Sequence, residues 1–279
     1  MGRLSEIAVE RVEWEISLFC RFQYRHAFAV RGNPVLIDFD RPETWPADVV
    51  DFLSGHLEVL CDWLGDQQFA SPDQFDQIIG ELAEVIRPHD ILAWHCTRLT
   101  AREAGVIRAE GMFLPTVETL MMRIDAAQAE GAFPPAVAEG FRRRHQGGSP
   151  TRTGRIWFLF TRPCNDEGVA DFFRFWGGEA IYAAIDRDPK LGPALRSTGI
   201  PSVVEAALPV SYFVDGLGLE IDMAEKFCAW RAGRRGSGIP HDRTRVPIPA
   251  EIIRRIITFD DLEFAVLTGC ASYHDPLKN

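Results

Sequence analysis

The apolar residues of this chain change period partway along its length, and that change limits the fold classes open to it. Val49, Val50, Phe52, Leu53, Leu57, Val59, Leu60 and Trp63 recur at helical spacing, with His56 on the same stripe and Gly65 at its end. One amphipathic helix is expected there. Ser71-Pro72-Asp73 opens a second, with Phe75, Ile78, Ile79, Leu82 and Val85 on one face and Arg87-Pro88 at its close. Residues 117–129 and 136–145 also read as helices. After the breaker Gln146-Gly-Gly-Ser-Pro150 the pattern becomes short, nearly continuous apolar runs. Residues 155–161, 179–185, 201–208 and 252–259 are all expected as strands, interrupted by a short helix from an Asn165 cap to Trp176. A helix-rich first half and a strand-rich second half predict an α+β protein, with a helical region over residues 1–88 and an α+β domain over residues 89–279. Residues 4–21 fit helix or strand equally. The basic, glycine-rich residues 231–238 read as a linker or a lid.

Where the two periods meet lies the densest polar segment, residues 90–115. Residues 91–94 read as a short buried strand, Thr100 and Glu103 as a capping box for the next helix, and Gly111 as its left-handed stop. His95, Thr97 and Arg98 are therefore expected on a strand-to-helix turn. An imidazole with a hydroxyl two residues on can hold a sugar or an amide through paired hydrogen bonds, and a satisfied core histidine fits the same sequence. Glu179 follows Gly177-Gly178, where backbone lets a ligand approach closely, although a helix stop with Glu179 on the surface fits equally well. Tyr182, three residues on, would face the other side of an ideal strand. The same alternation sets Cys96 against His95, which argues against a thiol nucleophile with its base. Arg142, Arg143 and Arg144 suit a helix C-terminus, and His241-Asp242 is expected in a loop with no metal partner.

A formal charge of −10 over 279 residues opposes a general nucleic-acid surface, which needs cations to replace counterions, but it leaves room for a local basic groove. The six cysteines form no CxxC pair, so neither a zinc knuckle nor a disulfide framework is expected. With no apolar run of membrane-spanning length and no signal-like opening, the expectation is a soluble, cytoplasmic protein with no membrane partner.

The order of these pieces resembles the ADP-ribosyltransferase superfamily, including its nucleic-acid-modifying toxin branches and its RNA 2′-phosphotransferase relatives. The resemblance rests on His95-x-Thr97 at a strand end and a capped helix leading to Glu110-Gly111-Met-Phe-Leu-Pro115. The aromatic run 156–161, the helix 166–176 and the late Val246-Pro-Ile-Pro249-Ala-Glu-Ile-Ile253 complete it over residues 90–260. It implies a mixed, mainly antiparallel sheet and an enzyme that consumes NAD as substrate, with no metal, and moves ADP-ribose to a macromolecular acceptor as a toxin or defence effector. It further implies that His95 binds the nicotinamide ribose, supported by Thr97, with Arg98 also in the cofactor-binding set as a phosphate contact. Trp157, Phe158, Phe160, Trp176 and Tyr182 would line the nicotinamide pocket, and Glu179, with Glu205 second, would supply the catalytic carboxylate. The chain departs from the family in two places. Arginine-modifying members carry Glu-x-Glu where this chain has Gly177-Gly178-Glu179. Toxin branches place their glutamate late, where this chain has His241-Asp242-Arg243-Thr-Arg245. Two other readings stand beside the first: a non-catalytic nucleotide- or protein-binding module with a protein partner on the N-terminal region, and removal of an RNA 2′-phosphate by Arg98, Arg152 and Arg155.

Overall fold

Strand β2, Asp90–Leu99, is the spine of the structure, a computed structural model that describes residues 34–65, 71–163, 167–213, 218–234 and 239–270. It pairs antiparallel with β4 (Ile200–Pro209) without interruption from Asp90↔Pro209 to Leu99↔Ile200. β1 (Leu36–Ile37) lies parallel to its start. β3 (Ile156–Leu159), β5 (His241–Thr244) and β6 (Ile253–Thr258) complete a six-stranded, mainly antiparallel sheet in the order β5-β3-β2-β4-β6, with β1 also on β2. The protein is thus α+β.

Pairing over all ten residues of β2 corrects the expectation of a strand ending at Trp94. His95, Thr97 and Arg98 lie inside the strand, not on the turn after it. Because side chains alternate between faces, this assigns each of them a side. Ile91, Ala93, His95, Thr97 and Leu99 share one face with Phe158, Val204, Ala206 and Ile256. Over that face pack α1 (Ala47–Gly55), α2 (Leu57–Trp63), α3 (Pro72–Ile86) and α10 (Gly218–Arg231), through residues such as Leu53, Leu60, Ile79 and Phe227. Trp94 and Cys96 share the other face with Val203 and Ile257, under Val169 and Phe173 of α7 (Glu167–Arg174) and Phe264 of α11 (Leu262–Thr268). A third core joins α5 (Val117–Ala129) and α6 (Pro135–Arg144) to the segment holding Trp176, α8 (Glu179–Tyr182) and α9 (Gly192–Ser197). The described residues from Val35 onward belong to one unit, and none of its helices is long and apolar enough to cross a membrane.

Several local expectations change for identifiable reasons. The single helix expected from the stripe at Val49–Trp63 breaks at His56, whose backbone leaves the helical region while its Nδ1 donates to the Phe52 carbonyl. Residues 179–182 form α8 instead of a strand, because Gly178 at φ 67° turns the chain and its carbonyl accepts the amides of Ile181 and Tyr182. His241-Asp242 forms the start of β5, not a loop. The capping box is present: Thr100 and Glu103 exchange hydrogen bonds at the start of α4 (Ala101–Glu110). Gly111, however, sits at φ 92°, ψ −165°, a region open only to glycine, and a Cβ there would lie 2.0 Å from the Ile248 carbonyl oxygen. It serves a close approach of the late chain, sealed by the Met112↔Ile248 bridge. The ambiguous residues 4–21, the Asn165 cap and part of the 231–238 loop lie outside the described residues.

Two charged side chains are built into the Trp94 face. The buried guanidinium of Arg98 donates to the carbonyls of Thr198 (3.0 Å), Gly199 (2.7 Å) and Phe173 (3.0 Å), tying the turn before β4 and the end of α7 to β2. Buried Glu205, opposite Trp94, accepts from Arg254 Nε and Arg255 Nε at 2.8 Å each. Adjacent residues of β6 reach one carboxylate because a bulge at Glu205/Ala206 leaves Arg254 as the extra residue. Arg98→Ala leaves three backbone carbonyls without their donor. It is expected to destabilise the fold by about 3 kcal/mol or more in urea unfolding.

Candidate functional site

The sheet forks beside His95. β3 meets β2 at Trp94↔Leu159 and then pairs along its whole length with β5. Just past that pair the His95 imidazole crosses the gap and its Nδ1 lies 2.9 Å from the Trp157 carbonyl oxygen. A carbonyl can only accept, so Nδ1 carries the proton. Burial pushes the His95 pKa down to about 4, helped by the positive charge of Arg123 and opposed by the Trp157 hydrogen bond. The ring is therefore neutral at physiological pH, with Nε2 as a bare acceptor that has no partner among the described residues. Such a nitrogen takes a hydroxyl or amide proton. The Phe158 ring lies 5.7 Å from the imidazole, and Thr97 is the next side chain on the same face, about 7 Å along the strand.

Arg123 connects this histidine to a second group. Its Nε donates to Glu103 at 2.7 Å, and its guanidinium lies 5.3 Å from the centre of the Trp176 ring. Trp176 Nε1 donates to the other Glu103 oxygen at 2.9 Å, which also caps Thr100. Burial alone would raise the Glu103 carboxyl. Arg123, with the Thr100 and Trp176 hydrogen bonds, holds it below the usual carboxylate range. Glu103 thus remains charged and balances Arg123.

The remaining expected residues fall in three places. Glu179 and Tyr182 lie one helical turn apart on α8 instead of across a strand, and the Glu179 carboxylate is 3.6 Å from Arg152. Burial, with the negative charges of Glu179 and Asp171, raises the Tyr182 phenol. Among the described residues no hydrogen bond or ion pair joins Glu179 to His95; the Glu179 carboxylate faces Arg152, and Arg123 is the charge that acts on His95. Phe160 is enclosed between Phe39 and Phe213, with ring centres 5.4 and 5.1 Å away, so its faces are already covered. Arg98 and Glu205 occupy the face opposite His95 and are committed to the ties described above, which corrects their expected placement beside the imidazole. Trp157 keeps its ring 39% exposed on that same opposite face, while its carbonyl holds His95.

Sequence reading missed Arg123 and the larger part played by Glu103. Nothing in linear spacing joins residues 103, 123 and 176, and the capping role of Glu103 already accounts for its presence. No group of three His, Cys, Asp or Glu side chains converges as a metal site among the described residues. A surface depression of about 500 Å³ lined by Arg144, Asp186, Arg187 and Asp188 holds none of the expected site residues. Comparison with protein-family models, curated proteins and solved structures found no match.

The lowered pKa of His95 has a thermodynamic consequence. Between its folded value of about 4 and the ordinary 6.5 the unfolded chain binds more protons, so stability falls as pH falls through that window. His95→Gln, which has no titrating group, is expected to flatten that part of the pH dependence in urea melts at pH 4.5, 5.5 and 7.

Proposed function

We propose that the protein is an NAD-consuming transferase that uses the His95 fork to hold the nicotinamide ribose and moves ADP-ribose to a macromolecular acceptor. The observation that carries this reading is the neutral imidazole beside Phe158, whose Nε2 acceptor has no partner among the described residues. Breaking the N-glycosidic bond of NAD builds positive charge on the ribose, so a site for that reaction must bind ribose hydroxyls without adding a cation beside them. A neutral His95 does so. The positive charge that acts on His95, that of Arg123, is balanced by Glu103 at 2.7 Å.

The reaction also calls for an anion against the developing charge. Glu205 is enclosed by Arg254 and Arg255 on the other face, which leaves Glu179, half-exposed on α8, as the carboxylate of this proposal. An ADP-ribosyltransferase-like arrangement, with its acceptor a toxin or effector target, extends the same reading. Removal of an RNA 2′-phosphate is less well supported, because Arg98 spends its guanidinium on backbone carbonyls. The missing contact between Glu179 and His95 favours one alternative, a module that binds NAD or a related nucleotide without turning it over.

Incubation with NAD, followed by measurement of nicotinamide release and of the thermal shift, separates these readings. Release is expected from the purified chain, reduced at least tenfold in His95→Ala and about a hundredfold in Glu179→Gln. A thermal shift abolished by His95→Ala but without release would establish the binding module. Neither release nor shift would end both readings.

A further inference from the structure

Two thiols from different helices meet within the layer that covers the His95 face. The buried stripe of α10 runs through Leu219, Met223, Ala224 and Phe227 to Cys228 in its last turn, where helical spacing turns the thiol toward the larger core. α2 packs against this helix. There Leu60 fills the same core, while the next residue, Cys61, lies on the exposed side. The Cys61 and Cys228 thiols are in hydrogen-bonding contact with each other, and both are free cysteines. A buried thiol by itself is accounted for as a small apolar side chain. Cys270 is of that kind, spending its sulfur on the Thr268 carbonyl at 3.3 Å. That account does not extend to Cys61, whose exposed side chain adds little to the core and sets a solvent-accessible sulfur against a buried one.

We infer that Cys61 and Cys228 form an oxidative modification site, at which a peroxide closes a reversible disulfide between α2 and α10. Accessibility sets the order of events. Burial pushes the Cys228 thiol up, as does its contact with Cys61, while the nearby charges of Arg234 and Glu225 oppose one another. That sulfur keeps its proton and is shielded from solvent. Cys61 is the sulfur that a peroxide reaches. Its thiolate attacks one peroxide oxygen and the O–O bond breaks, leaving a sulfenic acid on Cys61 and, after protonation, one water. The Cys228 sulfur then attacks the Cys61 sulfur. The S–O bond breaks as the S–S bond forms, and the departing hydroxide takes the Cys228 proton as a second water. Two thiols are oxidised, one peroxide is reduced, and no further reagent is needed. The product closes the long stretch of chain from Cys61 to Cys228 and so restricts the unfolded state strongly. In the folded protein it joins two helices of the layer over the His95 face, next to Phe227, which stacks on Trp45 with ring centres 6.2 Å apart. This pair stands independently of the NAD reading.

Treatment of the full chain with hydrogen peroxide, followed by non-reducing peptide mapping, tests it. A peptide linked through Cys61 and Cys228 is expected, lighter than its two parents by two hydrogens and returned to them by dithiothreitol. The oxidised protein is expected to melt about 5 °C or more above the reduced one. Cys61→Ser, at an exposed position, should lose both the linked peptide and the rise in Tm while melting like the reduced parent. Cys228→Ser should hold Cys61 as a sulfenic acid long enough for dimedone to label it. Advance of Cys61 to sulfinic acid with Cys228 still reduced, or a bridge from Cys61 to a second copy of the chain, would overturn the inference. So would a linked protein that melts no higher than the reduced one, which would mark a disulfide formed at the expense of the fold. The peptide map of the parent decides the matter even where Cys228→Ser does not fold.

Discussion

The in-register pairing of β2 with β4 governs everything else in this protein. Alternation along a strand has no freedom of its own: once Asp90 opposes Pro209 and Leu99 opposes Ile200, the side of every residue between them is fixed. His95 and Thr97 are placed on the face that carries the larger core, while Trp94, Cys96, Arg98 and the opposed Glu205 are placed on the other. A polar segment that looks continuous in sequence is divided into two sets with different work. One set faces the fork. The other fastens helices and turns to the back of the sheet.

Much of the frame was legible because hydrophobic period reports burial directly. The α5 helix, the β4 and β6 strands, the Ser71 cap and the Thr100–Glu103 capping box follow from apolar spacing and short-range hydrogen-bonding chemistry. The failures have a common origin in tertiary contacts. The polar His95-Cys96-Thr97-Arg98 stretch looks unlike a buried strand, yet β4 supplies its ladder and backbone carbonyls take up the Arg98 charge. Residues 179–185 carry a strand-like apolar run, but the turn at Gly178 and the surrounding aromatic core coil its beginning into a helix. Of the residues at the fork, the sequence singled out His95 and Thr97 as candidates. It could not locate the imidazole's partner 62 residues away, nor the Arg123–Glu103 pair that sets the charge around it.

Electrostatics around the fork is arranged by cancellation. Arg123 would leave an unbalanced cation against His95 if Glu103 did not hold it, and Glu103 would be costly to bury without Arg123 and the Trp176 indole. Across the sheet, Glu205 and its two arginines form a separate balanced group. Each of these two groups is balanced on its own side of the sheet, so the neutral state of His95 does not depend on ion pairs across the β-layer.

The glycine at 111 also bears on the order in which the chain can be assembled. Its backbone meets Ile248, so a helix made early is sealed by a segment made late. β2 is likewise synthesised well before β4, β6 or β5 exists to lie in the sheet with it. On the ribosome the central strand must wait for β4, its main partner, until Pro209 has emerged. Contacts of such long sequence separation make folding slow and expose the waiting strand to aggregation, so this is a protein whose yield in the cell should be limited by the time between making β2 and completing the sheet around it.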